Sequence, residues 1–211
     1  MEGGKRYHFG CLFLLTNFAE TQLNGNNISS VFRLSNFHVS VFCCGKLESV
    51  SGTKLVDQIR HRFENVYIQG FDPEAIFGLQ HLIEALKITL EALRRGITVA
   101  NRPELDLLLR MSCTTQISKA INYAGIKSGK CACFVVFSKN KRDLLKVRYY
   151  ALQSLPEANS TDLIGNASTR NTIATKLGLE ASTKYLTDDI EFLKYLIERA
   201  ALITKSARTS F

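Results

Sequence analysis

Lys130 to Ser138, KCACFVVFS, is the stretch that decides the fold. It contains no polar residue between Cys131 and Phe137. A short apolar run without alternation is typical of a strand covered on both faces, and such a strand lies inside a sheet rather than at its edge. The sequence therefore predicts a sheet in which residues 130–138 form a central strand.

Two further strands and one helix are predicted before this strand. Residues 37–43 place apolar side chains at every second position, which is the periodicity of a strand. Residues 54–63 carry apolar side chains at helical spacing, and residues 65–68 form another short apolar run. The chain is therefore expected to open with a strand, a helix and a strand.

The rest of the chain is predicted to be mainly helical, because capping residues precede segments with apolar side chains three and four positions apart. These helices cover residues 72–95, 101–111, 115–124, 141–152 and 187–206. The second of them is apolar on almost every side, which predicts a central, buried helix. Residues 156–178 are rich in Asn, Ser, Thr and Gly in their first part and are predicted to be a flexible insertion.

A length of 211 residues favours a single domain covering residues 1–211. The predicted fold class is α+β, with a single mixed β-sheet flanked by helices, a helix-rich middle and a C-terminal helix. Residues 11–15 are apolar but shorter than the core of a signal peptide, so a buried strand is predicted there. No run approaches the roughly 20 apolar residues of a membrane span. We expect a soluble cytoplasmic protein, present also in the nucleus if the cell is eukaryotic.

The chain is basic. Lys and Arg outnumber Asp and Glu by 27 to 19, which gives a net charge of +8. Such a balance favours an anionic partner such as nucleic acid, although it also occurs in proteins that use charge only for solubility.

No catalytic motif is present, since the nucleophile-elbow, metalloprotease, dinucleotide and P-loop patterns are all missing. The four histidines lack metal-ligand spacing. Cys131 and Cys133 would share one face of a strand and could form a metal or redox cluster with Cys43 or Cys44, but small buried side chains are the preferred interpretation. The sequence predicts neither an enzyme nor a cofactor.

Arg110 stands out because it lies within the apolar segment NRPELDLLLRM and is followed by Ser-Cys-Thr-Thr-Gln. It could form an ion pair with Asp106 four residues earlier. Alternatively, it could help to bind an anion where one helix ends and the next begins. The candidate RNA-binding residues around this junction are Arg94, Arg95, Asn101, Arg102, Arg110, Ser112, Gln116, Lys119, Tyr123 and Lys127. A solvated basic face is the other interpretation of this cluster.

The C-terminal helix carries apolar residues over about half of its circumference, which is wider than the stripe of roughly 100° that one core needs. This arc is expected either to dock a partner protein or to be buried within the monomer. The candidate partner-binding residues are Phe192, Leu196 and Ile203.

The segment GITVANRPELDLLLRMSCTTQISKAINYAGI, residues 96–126, resembles the KEOPS subunit family of the PRPK-binding protein and its archaeal relatives. The similar features are an Ala-Asn pair, a helix ending in Leu-x-Arg-x-Ser, Gln-Ile and Ala-Ile pairs, and a Gly-Ile turn. The resemblance covers residues 37–138 and resumes at residues 197–205, IERAALITK. Residues 1–30 look like an N-terminal addition. Cys113 stands where the family usually has glycine, which puts any role that needs a positive φ there in doubt.

The resemblance implies a non-catalytic subunit that binds and activates the small atypical kinase of KEOPS, a PRPK or Bud-type kinase. It also implies that the subunit recruits tRNA through its 3′ CCA end for threonylcarbamoyladenosine formation. Other KEOPS subunits would be contacted indirectly, and a homodimer is possible for the free chain. The alternative is a purely protein-binding regulatory subunit without direct RNA contact.

Overall fold

The computed structural model describes residues 31–47, 51–155, 164–165, 167–179 and 188–204. They form one four-stranded sheet with the strand order β1-β2-β4-β3. The strands are β1 (Phe32–Leu34), β2 (Phe37–Cys44), β3 (Tyr67–Phe71) and β4 (Ala132–Ser138). Helices accompany this single sheet, so the predicted α+β class is confirmed.

Strand β4 is central, as its composition predicts. Every residue of β4 is buried, and the strand lies between β2 and β3. All three pairings of the sheet are antiparallel, which differs from the mixed sheet expected from the sequence. The strand–helix–strand opening does place β2 and β3 parallel to each other, because both run antiparallel to β4. They are not hydrogen-bonded neighbours, since β4 is inserted between them.

Seven α-helices are described, and their positions agree with most of the predicted segments. They are α1 (Ser51–Arg62), α2 (Gly78–Arg95), α3 (Pro103–Met111), α4 (Ile117–Ala124), α5 (Lys141–Ser154), α6 (Ala167–Lys176) and α7 (Asp189–Leu202). One face of the sheet packs against α2, α3 and α4, and the other packs against α1 and α5. Helices α6 and α7 form a further apolar cluster, and α7 also contacts α2 and α3.

Three boundaries differ from the sequence-based expectation. Asp72 caps a short 3-10 helix, Pro73–Ala75, and α2 begins only at Gly78. The predicted flexible insertion at residues 156–178 contains the ordered helix α6, so that prediction is wrong for residues 167–176. The C-terminal helix, predicted at residues 187–206, covers Asp189–Leu202.

Some expectations fall outside the described ranges. The strand predicted at residues 11–15 and the whole N-terminal addition at residues 1–30 lie there. Among the described helices, none combines the length and the apolar character needed to cross a membrane.

Candidate nucleic-acid interface

Arg110 is buried in α3 and is only 3% exposed. Its Nε donates to Asp106 Oδ2 at 2.6 Å, and its Nη1 donates to the carbonyl oxygen of Ala200 at 2.8 Å. A longer contact of 3.4 Å joins the same nitrogen to the carbonyl oxygen of Ile203. Asp106 is shared, because its Oδ1 accepts from the backbone N–H of Val99 at 2.6 Å. Arg110 therefore connects α3 to the C-terminal end of α7.

The prediction that Arg110 contacts RNA is wrong, because its guanidinium is enclosed by protein groups. Carbonyl groups at a helix C-terminus carry partial negative charge and attract a cation. The intrahelical ion pair with Asp106 is present, and it is extended by the α7 carbonyls. The apolar surroundings of Arg110 are thus explained by an internal contact between helices.

Ser112 is buried as well, so its predicted RNA contact is also wrong. Its hydroxyl donates to the carbonyl oxygen of Ala120 at 3.4 Å and links the end of α3 to α4. The next residue, Cys113, has a φ of 48°. The N–H groups of Cys113 and Thr114 donate to the carbonyls of Arg110 and Leu109, which is the hydrogen-bond pattern of a Schellman helix end. The left-handed backbone therefore occurs here without glycine.

The other predicted RNA-binding residues fall into two groups. Arg94, Arg95, Asn101 and Arg102 are exposed at the end of α2 and just before α3. Gln116, Lys119, Tyr123 and Lys127 lie on or beside α4, which follows α3. The nine residues of α3 correspond to a length of about 13 Å. In the described part of the chain, no hydrogen bond, ion pair or ring contact joins one group to the other.

Acidic partners neutralise much of the first group. Glu91 forms ion pairs with Arg94 and Arg95, each at 2.6 Å. Hydrogen bonds from Arg94 and then Arg95 lower the pKa of Glu91 to about 2. Nε of Arg102 lies 2.6 Å from Oε1 of the buried Glu104. These arginines have less free positive charge than the sequence suggests.

Glu104 also faces a second arginine, from the other side of the sheet. Nε of Arg60 in α1 lies 3.6 Å from Glu104 Oε1, and its Nη2 donates to the carbonyl oxygen of Ile68 at 3.2 Å. Ile68 belongs to β3, which is an edge strand. Burial, the largest cause, and then the positive charge of Arg102 lower the pKa of Arg60, whereas Glu104 opposes this shift. Arg60 thus covers the sheet edge and joins its two helical layers.

The second group retains exposed cations next to a tyrosine. Gln116 and Lys119 are exposed, and Tyr123 is half-buried. The Nζ atom of Lys176, in α6, lies 5.3 Å from the centroid of the Tyr123 ring. Lys127 instead donates to the carbonyl oxygen of Asn122 at 2.5 Å, near the end of α4. Its ammonium group thus binds carbonyl groups of the last turn of α4.

Two cations and a tyrosine of this surface were not predicted from the sequence. Besides Lys176, the guanidinium carbon of Arg199 lies 5.7 Å from the Tyr195 ring centroid, and its Nη1 donates to the Tyr195 hydroxyl at 3.0 Å. The positive charge of Arg199 also acts on the thiol of Cys113, whose pKa it lowers against the effect of burial. The spacing of Tyr195 and Arg199 by four residues on a helix was the available signal. We call Gln116, Lys119, Tyr123, Lys176, Tyr195 and Arg199 the α4–α6–α7 surface.

The phenol of Tyr123 and the thiol of the adjacent Cys113 are uncharged near neutral pH. Burial, followed by the neighbouring Cys113, raises the pKa of Tyr123. Burial also raises the pKa of Cys113, and the nearby Arg199 opposes that shift. A protonated phenol and a protonated thiol leave Lys119, Lys176 and Arg199 as the charged groups. The surface therefore has the chemistry to bind phosphate beside an aromatic ring.

The predicted partner-binding residues of α7 are not available to a partner. Phe192, Leu196 and Ile203 are 0%, 1% and 8% exposed, so that prediction is wrong. Phe192 and Leu196 pack in one cluster with Ile173 of α6, and the Phe192 ring lies 4.9 Å from that of Phe77. Burial within the monomer, the alternative interpretation, explains the wide apolar arc of α7.

Exposed apolar side chains lie elsewhere. Ile117 and Ile121, one helical turn apart on α4, are 45% and 50% exposed. Ala120 and Ala124 are the residues of α4 that are fully buried. Ile190 and Leu202, near the two ends of α7, are also exposed.

The comparisons with known proteins add no identification. No protein-family model matches the chain, and no curated protein matches its sequence. Within the described ranges, no three His, Cys, Asp or Glu side chains are placed so as to hold a metal ion. The fold and the site define an α+β protein with a basic, tyrosine-bearing surface formed by three helices.

Proposed function

We propose that this chain is a non-catalytic, cytoplasmic subunit of a KEOPS-type tRNA-modification complex. In this role it recruits tRNA through the single-stranded 3′ end and binds and activates the small kinase. The observation that carries the RNA part is the α4–α6–α7 surface, in which the Lys176 ammonium lies 5.3 Å from the Tyr123 ring. Within the described residues, neither Lys119, Lys176 nor Arg199 forms a salt bridge.

Unpaired cations and aromatic rings are the two components that single-stranded RNA requires. Lysine and arginine neutralise phosphates and release counterions, which supplies most of the affinity. Tyrosine rings provide stacking surfaces for unpaired bases. The surface thus fits the RNA part of the family resemblance, although it uses Lys176 and Arg199 in place of Arg110.

A purely protein-binding regulatory subunit is the second candidate. The exposed pair Ile117 and Ile121 favours it, because two large apolar side chains in one row of a helix suit a protein partner. They lie on the flank of α4 opposite to Lys119. The two functions can therefore use different sides of one helix.

The test compares tRNA binding by fluorescence anisotropy for the parent and Lys119→Glu/Lys176→Glu. The variant loses two phosphate-binding charges, so we expect roughly tenfold weaker binding or more. The slope of log K against log salt should fall by about 2. The matched control is Lys130→Glu/Lys194→Glu, which makes the same charge change at two other exposed positions.

Equal weakening of tRNA binding in both lysine variants would mean that only net charge matters, and would contradict an RNA site on this surface.

The kinase part is tested separately by a pull-down with Ile117→Asp/Ile121→Asp. Loss of the kinase with unchanged tRNA binding supports two surfaces. If tRNA binding is unaffected by the lysine variant and the kinase is lost in the isoleucine variant, the protein-binding regulator is favoured.

A further inference from the structure

We infer that a second binding site for single-stranded RNA lies between α1 and α5, on the opposite side of the sheet from the α4–α6–α7 surface. An open cleft of about 540 Å³ is present there. It is lined by Lys54, Asp57, Gln58, His61, Arg62 and Tyr150. This inference does not require the proposed function, because it rests on different residues on the other helical layer.

The two helices that form the cleft carry much of the positive charge of the chain. Their cationic residues are Lys54, Arg60, Arg62, Lys141, Arg142, Lys146 and Arg148, and their acidic residues are Asp57 and Asp143. Each aspartate forms an ion pair within its own helix. The N–O distance is 3.6 Å both for Asp57 with Arg60 and for Asp143 with Lys146. Within the described residues, Lys54 and Arg62 form no salt bridge.

Aromatic rings lie among these charges. The guanidinium carbon of Arg62 is 5.4 Å from the Tyr150 ring centroid and 5.8 Å from that of Phe63. The Tyr150 hydroxyl reaches Gln58 Oε1 at 3.4 Å, across from α5 to α1. The neighbouring Tyr149 is 64% exposed. The guanidinium of Arg62 already lies over the Tyr150 ring that lines the cleft, and a planar base can bind against the same ring face.

The combination favours RNA over an acidic peptide. Carboxylates of a peptide need only the positive charges of Lys54 and Arg62. An unpaired base also uses the face of Tyr150, and its phosphate uses the adjacent cations. The cleft is open to solvent, so an extended strand can enter it. The ligand class is therefore a single-stranded oligonucleotide.

The experiment measures binding of a fluorescent twelve-nucleotide RNA without secondary structure to the full chain. Lys54→Glu/Arg62→Glu removes the two cations, and Lys130→Glu/Lys194→Glu is the control of equal charge. Tyr150→Leu removes the aromatic face and keeps an apolar side chain, whereas Tyr150→Phe keeps the face. We expect Tyr150→Leu to weaken binding about fivefold or more and Tyr150→Phe to bind as the parent does. Circular dichroism and the melting temperature check that each variant is folded.

Weakening by the charge variant and by Tyr150→Leu, with the control and Tyr150→Phe unchanged, supports the site. If Tyr150→Leu remains folded and binds as tightly as the parent, the cleft recognises only negative charge and the assignment is overturned. Competition by poly-glutamate as effective as competition by RNA would overturn it too. If Lys119→Glu/Lys176→Glu is the one variant that weakens RNA binding, the proposed function stands and this second site is refuted.

Discussion

Cys113 occupies a position that carries glycine at the ends of two other helices. Gly96 after α2 and Gly178 after α6 have φ values of 69° and 70°, compared with 48° at Cys113. All three ends have the same pair of hydrogen bonds, donated by the positive-φ residue and by the residue after it. A side chain in the left-handed region costs about 1–2 kcal/mol because Cβ approaches the carbonyl oxygen. Cys113 therefore adopts a positive φ although it has a side chain.

We therefore expect Cys113→Gly to be more stable than Cys113→Ala by about 0.5–1 kcal/mol. Both variants remove the thiol, so their difference isolates the backbone, and the entropy cost of glycine offsets part of the gain. Gly96→Ala is the converse change. The added Cβ meets no atom within 4 Å, so only the left-handed backbone opposes it. It should lower the free energy of unfolding by a similar amount. Urea unfolding midpoints measure all three, and equal stability of the two Cys113 variants would show that the position carries no strain.

At the scale of elements, Arg110 determines where the C-terminal end of α7 is held. The guanidinium joins Asp106 and the α7 carbonyls inside the protein, where an unpaired charge is costly. We expect Arg110→Met to lower the free energy of unfolding by about 3–5 kcal/mol, because the Asp106 carboxylate is left buried without its partner. Thermal and urea unfolding measure this loss.

A double-mutant cycle provides the control for that prediction. Arg110→Met/Asp106→Asn should cost less than the sum of the two single changes, since the uncompensated charge is removed. Arg94→Met breaks an exposed ion pair that solvent screens, so it should cost far less than Arg110→Met. Additive losses at Arg110 and Asp106 would contradict the coupling seen in their 2.6 Å contact.

The sequence predicts the elements better than the surfaces they form. Strand β4 and the nearly all-buried α3 are evident from composition alone, because no exposed position interrupts their apolar runs. Helix α6 was missed, since ASTRNTIATK has only Ile173 as a large apolar residue and depends on packing against α7. In α4 the two alanines face the core and the two isoleucines do not. Close approach of α3, shown by Ser112 contacting the Ala120 carbonyl, leaves room only for small side chains there.

The same limit applies to the candidate site. Basic residues close in sequence were predicted to converge, but Arg110 is directed into the protein and Arg94, Arg95 and Arg102 are paired with acids. Lys176 and Arg199 reach the site from distant segments, through tertiary contacts that no local pattern encodes. Residue type and spacing located the basic segments, whereas the set of cations that remain exposed and without acidic partners depends on packing.

For the whole molecule, the sheet separates two basic surfaces. The α4–α6–α7 surface lies on the layer of α2, α3 and α4, and the cleft between α1 and α5 lies on the other layer. Arg60 passes around the β3 edge and contacts Glu104 of the opposite layer. The two surfaces that we propose as RNA sites therefore lie on opposite layers of the protein.

Stability of the whole fold should depend on pH through His81, which is buried in α2. Its Nδ1 accepts the backbone N–H of Phe77 at 3.2 Å, which requires the neutral ring, and burial lowers the pKa of His81 from 6.5 to about 4. The unfolded chain takes up the proton first. Stability is therefore complete above pH 6.5 and falls as the pH drops towards 4, with a loss of about 2 kcal/mol by pH 5. His81→Gln should reduce the difference in the free energy of unfolding between pH 7.5 and pH 5 by about 2 kcal/mol, measured by urea unfolding. His61→Gln removes an exposed imidazole as the matched control. An unchanged pH dependence in His81→Gln would mean that the loss arises from other groups.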